Sequence, residues 1–522
     1  MTKFTYLILL SLCIFHPASA QLSQQSITGS RVKCVNHLAA DHACSEIDLL
    51  ARLSKNDLDA ESGWINDIWG WTDSLKSREY ALVGTGKSVV FVDVTDPVNP
   101  VRLGKLPGRT SESNDVLWRD IKVYKDHMFV TVDGEENGMQ VFDLHQLRTF
   151  GGIPKDFKES AHYDGISKAH NLAINEESGF AYITGYQPSS SSSALMDTCK
   201  GRGLHIVDIR EPINPVYAGC FADPSTGNRR DGYTHDAQCV IYRGPDVQYR
   251  GREICIGSNE THISIADVTD KSNPVPVGAA TYPQQGYTHQ GWLTDDHRYF
   301  LMNDEFDEVT NPEVKNTRTI IWDLTDLEDP RYHSSFFYPT ENPDHNLYVH
   351  GNYMYAANYT TGLRIVDISE IDKPREIAFF DTHPKDDDSN FGGAWSSFRF
   401  QGSGTTIVSS DPAGLLILDP VTVTITYADE PIAIPESFSL SATYPNPFNP
   451  LTSTTLSLPQ QTDIQVEVLD ILGRHVDLLH EGPLPAGEHV FTFDAKQLPS
   501  GSYYIRAHSN QYTAGTRAIL VK

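Results

Sequence analysis

Four histidines sit in similar short contexts along the chain: Ala169-His170-Asn171, Thr234-His235-Asp236, Thr288-His289-Gln290 and Asp344-His345-Asn346. Imidazoles gathered with carboxylates form a ligand set for zinc, iron or manganese, and an open position on such an ion activates water for hydrolysis or lyase chemistry. With Asp304 and Glu305, which the repeat described below brings to the same end, His170, His235, His289 and His345 make a candidate site for a divalent metal. Calcium suits it less, because calcium prefers an all-oxygen shell. The competing reading is architectural: a polar residue at the same place in successive repeats serves first as a hydrogen-bonding strut. Here the histidine gives way to Asn66, Arg119 and Ala394 in three further copies. Asp67, Asp120, Asp236, Asn171, Asn346 and Trp395 share this polar track and are candidate ligand-facing residues, with Asp and Asn also suited to orienting imidazoles. No GxSxG elbow, phosphate-binding loop or HExxH helix occurs, so no catalytic residue is assigned.

Repetition supplies the elements that bring these residues together. Gly362 to Asp381 (GLRIVDISEIDKPREIAFFD) reads as strand, turn, strand, with Lys373-Pro374 as the break. Related text recurs seven times, marked by Asp93, Asp143, Asp208, Asp267, Asp323, Asp367 and Asp419 at separations of 44 to 65 residues. Before each marker lies a further pair of strands opened by the polar track, giving four strands per unit. For the sixth these are about His345 to Val349, Tyr353 to Asn358, Leu363 to Ile368 and Arg375 to Phe380. Such a period built from strands predicts a seven-bladed β-propeller over residues 63–428. First strands then line the channel, and antiparallel pairing puts their starts on the face where second strands end, at Asp133, Tyr186, Asn303 to Glu305, Asn358 and Asp411. The marker aspartates fall on the opposite face, at turns between third and fourth strands. Trp64, Trp69, Trp71, Trp292 and Trp395 lie near the starts of first strands, placed to pack between blades or to stack on a sugar.

The ends of the chain read differently. Residues 1–20, with Lys3, an apolar run and Ala18-Ser19-Ala20, have the form of a signal peptide. Beyond it no apolar stretch reaches membrane-spanning length, so no transmembrane segment is expected. Six cysteines then remain, and neighbour pairing predicts the disulfides Cys34–Cys44, Cys199–Cys220 and Cys239–Cys255 in an oxidising compartment. Within a cap at residues 21–62, Ser45 to Asp48 resembles a capping box ahead of Leu49, Leu50 and Leu53 and predicts a short helix. The ring's last strand is left open between Thr422 to Tyr427 and N-terminal sequence. Ser189 to Ser193 and Lys385 to Asn390 read as loops, and Asn303 to Glu308 as an acidic surface loop. Residues 429–437 form a linker, and 438–522 a small Ig-like β-sandwich. A net charge of −27 disfavours nucleic acid as a partner.

Residues 438–522 resemble the C-terminal sorting domain of the type IX (Por) secretion system, through Tyr444-Pro445-Asn446-Pro447-Phe448-Asn449-Pro450, Asp470-Ile471-Leu472-Gly473-Arg474, Leu484-Pro485-Ala486-Gly487-Glu488-His489 and Leu498-Pro499-Ser500-Gly501-Ser502-Tyr503. The resemblance implies the type IX secretion machinery as a partner and a final location outside the cell or on its surface. Cys34 to Asp419 resembles the choice-of-anchor B family of LVIVD-repeat propellers, through Asn66-Asp67-Ile68-Trp69, Trp118-Arg119-Asp120-Ile121, Tyr233-Thr234-His235-Asp236, Tyr287-Thr288-His289-Gln290 and Asp344-His345-Asn346-Leu347. It implies a fold and a location, not an activity. Two function classes follow: a surface or secreted binding module for an extracellular polymer or protein, and a metal-dependent extracellular hydrolase or lyase using the histidine face.

Overall fold

The computed structural model describes residues 25–58, 63–109, 116–190, 197–385, 391–421, 437–460, 462–484, 487–509 and 512–522. The signal peptide falls outside them, as do most of the linker at 429–437, Asp386 to Asn390 and Ser191 to Ser193. The chain divides into two compact units, Met1–Thr424 and Ile425–Lys522.

The first unit is a seven-bladed propeller. Its first strands are Ile65–Asp73, Arg119–Tyr124, Asn171–Asn175, Asp236–Ile241, Thr288–Leu293, Leu347–His350 and Gly393–Arg399. They neighbour one another in that order, and Gly393–Arg399 returns to Ile65–Asp73 to close the ring. In the sixth blade the order is Leu347–His350, Tyr353–Ala357, Leu363–Asp367 and Arg375–Phe380, all antiparallel. The other blades repeat it. Third strands such as Ser88–Asp93 and Leu204–Asp208 are apolar along most of their length because both faces of a blade pack on neighbours. The core accordingly lies between blades: Phe91 of the first stacks on Phe142 of the second with ring centroids 4.9 Å apart.

The marker aspartates shape the turns after the third strands. Asp93, Asp143, Asp208, Asp267, Asp323 and Asp367 each accept the backbone N–H two residues on, at 2.8–3.0 Å. These are Asx turns, in which a short carboxylate replaces a backbone acceptor. The fourth strand answers the next blade's turn with a small residue. A Cβ at Gly219 would lie 1.7 Å from the Lys271 carbonyl oxygen, and one at Gly278 2.3 Å from that of Leu327.

Two expectations need correction. The helix expected after Ser45 is a strand, Ile47–Leu53, and it supplies the outermost strand of the seventh blade by pairing with Gly414–Pro420. All seven of its residues are buried, and a strand covered on both faces satisfies alternate Leu49, Ala51 and Leu53 as well as Leu50 between them. That tertiary pairing outweighs the local capping signal. The segment is therefore part of the ring, and His42–Ser45 adds a further strand to the sixth blade. Second, Asn303 to Glu308 is not a surface loop: Asn303, Asp304 and Asp307 are buried. Asp304 accepts from Gly286 N and Tyr282 Oη at 2.6 Å each, and from Tyr287 N, while Asp307 pairs with the buried Arg318 guanidinium. These partners hold Asp304 and one oxygen of Asp307 inside the protein.

The three disulfides join Cys34–Cys44, Cys199–Cys220 and Cys239–Cys255. The second unit is a β-sandwich. One sheet holds Ser439–Leu440, Leu451–Leu458 and Gly487–Asp494, the other His475–Leu484, Thr462–Asp470, Gly501–His508 and Thr513–Leu520. Its core gathers Leu456, Val466, Val468, Phe493 and Ile505.

Candidate functional site

The residue pair opening each first strand divides its labour between the ring and the channel. The second member is a strut. Asp67 accepts Ile121 N of the next blade at 3.0 Å, Asp120 accepts Leu172 N at 2.6 Å, and Asn171 donates to the His235 carbonyl at 2.9 Å. Gln290 both donates to and accepts from Leu347 at 3.0 Å. Asp236 has a different partner, its own neighbour Ala237 N, at 2.6 Å. Lys122, which the sequence reading passed over, is buried among these acids: its ammonium contacts Asp120 and lies 3.7 Å from Asp67. Burial alone would lower the Lys122 pKa, but Asp120 and Asp67 hold it raised. Burial and the nearby Asp120 push Asp236 up to about 7. Together with Asn346 and Tyr348 these groups close the channel to a space of about 20 Å³ beneath the histidines.

In four blades the first member is a histidine that faces a wide bowl, whereas Asn66 and Arg119 are buried on the Leu117 and Thr85 carbonyls. His170, His235, His289 and His345 form a continuous arc, with successive ring centroids 4.6, 4.3 and 4.7 Å apart. His235 Nδ1 lies 2.9 Å from the His289 carbonyl, His345 Nδ1 contacts the Trp395 carbonyl, and His170 Nδ1 lies 3.1 Å from Asp133 Oδ2. A carbonyl can only accept, so His235 and His345 carry their proton on Nδ1 and present Nε2 as a lone pair. Burial, with weaker repulsion from neighbouring histidines, drives His235 and His289 well below the usual imidazole range and His345 down to about 3. Three of these rings are therefore neutral acceptors at pH 7.

The bowl above the arc has a volume of about 810 Å³. Its walls are aromatic: Trp64, Trp118, Tyr287, Phe306, Tyr359 and Phe391 line it, with Tyr233 and Trp395. Trp64, Trp118 and Phe391 keep 46%, 40% and 45% of their surface exposed, so the rim presents apolar faces to solvent. Three carboxylates join them. Asp133 is paired with Lys168 at 3.0 Å and Asp411 with Lys55 at 2.6 Å. Glu305 accepts from Tyr359 Oη and lies with Oε2 3.8 Å from His289 Nε2, and burial raises it to about 7. No Lys or Arg lines the bowl among the described residues.

Of the expected site residues, the structure brings the four histidines, Glu305 and Trp395 to the bowl. Asp304, assigned to the metal set, is turned into the Tyr282 to Tyr287 loop, where backbone N–H groups occupy it. Asp67, Asp120, Asp236, Asn171 and Asn346 lie in the narrow space below, with all four histidines, Trp118 and Trp395 bordering both. Tyr186 packs on His205 instead, 4.8 Å between centroids. Trp69 and Trp292 pack on Tyr348 of the sixth blade, and Trp71 on Tyr80 of its own blade. Sequence reasoning missed Trp118, Tyr233, Tyr287, Phe306, Tyr359 and Phe391 as lining residues. One signal was present: a tyrosine stands two residues before both His235 and His289.

Residues 442–522 match the secretion system C-terminal sorting domain, and residues 345–382, in the sixth blade, match the LVIVD repeat. The chain thus carries an LVIVD repeat within its β-propeller and a C-terminal sorting domain of the type IX secretion route, which directs it outside the cell to its surface. No helix among the described residues is long and apolar enough to cross a membrane. No curated protein matches it in sequence. Solved structures similar to it include PorZ of Porphyromonas gingivalis, titled an essential bacterial surface component of the type IX secretion system. PorZ is 15% identical, with 85% of this chain and 58% of PorZ covered and a TM-score of 0.40. A Lactobacillus plantarum protein is 10% identical over 82% of this chain and 98% of its own, with a TM-score of 0.42. The extracellular domain of BT4673 of B. thetaiotaomicron, described as a hybrid two-component system, is 12% identical over 90% of this chain and 58% of its own, with a TM-score of 0.43. The chain therefore spans little more than half the length of PorZ and of the BT4673 domain.

Proposed function

We propose that the protein is a surface binding module whose bowl takes a neutral, hydroxyl-rich ligand, namely an extracellular carbohydrate. The observation that carries this reading is the combination of exposed aromatic faces at the rim with a floor of neutral imidazoles. Aromatic rings give large apolar contact at low conformational cost, and sugar rings present C–H faces to them. Imidazole Nε2 lone pairs and carboxylate oxygens accept from hydroxyls, which fixes orientation. Charge narrows the choice: Asp133 and Asp411 already have lysine partners, which leaves Glu305 as the one lining acid open to a cation, and no basic lining residue invites an anion.

A screen of the full-length protein against immobilised neutral glycans tests this. Binding that Trp118→Ala and Tyr287→Ala each weaken at least tenfold, while the melting temperature is kept, is the expected result. Preferential binding of cationic amines, or glycan binding indifferent to both variants, would overturn it.

A further inference from the structure

We propose that His289, His345 and Glu305 together hold a first-row divalent transition metal ion, of which zinc is the type, at the floor of the bowl. This does not rest on carbohydrate binding and stands or falls separately.

The ligand atoms these three residues offer lie within 4.8 Å of one another. His289 Nε2 and Glu305 Oε2 are 3.8 Å apart, too far for a hydrogen bond yet near the roughly 3.3 Å that separates two donors on one tetrahedral zinc. Closing the set around one ion takes side-chain rotation that draws the ligand atoms inward from separations of up to 4.8 Å. The other acidic and sulfur cluster among the described residues, Asp197 with Cys199 and Cys220, is ruled out as a competitor because its sulfurs are joined in a disulfide.

Two of the three donors are aimed by a group behind them. His345 gives its Nδ1–H to the Trp395 carbonyl, the outer hydrogen bond that metal-bound imidazoles characteristically make. Glu305 receives the Tyr359 hydroxyl on Oε1, leaving Oε2 toward His289. Tyr359 is itself fixed, exchanging backbone hydrogen bonds with Ala394 at 2.8 and 3.1 Å. His289 leads the first strand of the fifth blade, Glu305 follows its second strand, and His345 precedes the sixth blade. Two adjacent blades thus set the geometry. Two imidazoles and one carboxylate suit zinc, cobalt or iron better than calcium or magnesium, which prefer oxygen.

The test uses full-length protein without a histidine tag, stripped with chelator, incubated with zinc or cobalt and dialysed. About one equivalent of zinc by elemental mass spectrometry, as one three-residue site requires, is expected. Cobalt should give visible absorption bands of a nitrogen and oxygen site. His289→Gln and Glu305→Gln should each lower affinity at least tenfold, while Asp367→Ala, at a turn on the opposite face, leaves metal content unchanged. Should His289→Gln fail to fold, Glu305→Gln, whose amide keeps an acceptor for Tyr359, decides. Wild type that retains no metal after dialysis, or Glu305→Gln that retains as much as wild type, would overturn the proposal. Glycan binding by metal-free protein would leave the carbohydrate reading standing even then.

Discussion

His235 donates its Nδ1–H to the His289 carbonyl, 2.9 Å away, so one side chain ties the fourth blade to the fifth and offers its other nitrogen to the bowl. Strut and ligand are therefore not alternatives at this position. A histidine fits both demands because its two nitrogens point in different directions and the acceptor behind one selects the tautomer of the other.

The strut half of that statement predicts a stability loss. His235→Ala removes a buried hydrogen bond and leaves the His289 carbonyl without it, so unfolding free energy should fall by about 2 kcal/mol. Urea denaturation of the full chain measures this, and an unchanged midpoint for the propeller transition would contradict the strut.

Asp304 and Glu305 are neighbours with different work. Asp304 accepts the Gly286 and Tyr287 N–H groups that hold the bowl wall, so Asp304→Ala should cost about 3 kcal/mol or more by stranding buried donors. Glu305→Gln should change stability by less than about 1 kcal/mol, since the amide oxygen still accepts from Tyr359. Thermal melts of the two variants, compared directly, check the assignment.

Asp367 serves the turn on the face away from the bowl, accepting Ser369 N at 3.0 Å and Ser369 Oγ at 2.6 Å. Asp367→Ala should lower stability by about 1 kcal/mol and leave ligand binding intact. Lost binding at an unchanged melting temperature would refute the structural role.

His42 is fully buried between blades six and seven, with Nδ1 donating to the Asp381 carbonyl at 2.8 Å and Nε2 accepting from Arg52 at 2.6 Å. Burial chiefly, with Arg52, lowers its pKa from 6.5 to about 4 despite the opposing pull of Asp41. A depressed folded pKa means that unfolding takes up a proton below 6.5. The stability this group contributes is complete above pH 6.5 and is lost as pH falls toward 4. Melting temperature measured from pH 7 to 4 should drop less steeply in His42→Asn than in wild type; equal slopes would show that His42 is not the group responsible.

The ring was legible because the marker aspartates and the proline-broken turns recur, and each reflects the same Asx turn. Ring closure was not, since the partner of Ile47–Leu53 lies at Gly414–Pro420, far along the chain, while the capping signal at Ser45 is local. Lys122 was missed although strand periodicity puts it on the same face as Asp120, two residues earlier. A lysine in a strand reads as solvent-facing unless the channel is recognised as its surroundings. The bowl's aromatics come largely from the segments between strands, where no period announces which way a side chain turns.

The proposal that the bowl binds carbohydrate is tested most directly by tryptophan fluorescence. Three of the seven tryptophans, Trp64, Trp118 and Trp395, line it. Titrating a glycan retained in the screen into full-length protein should give a saturable spectral change, largely lost in Trp118→Phe and retained in Asp367→Ala. A saturable change of the same size and midpoint in Trp118→Phe would place the ligand elsewhere and contradict the account.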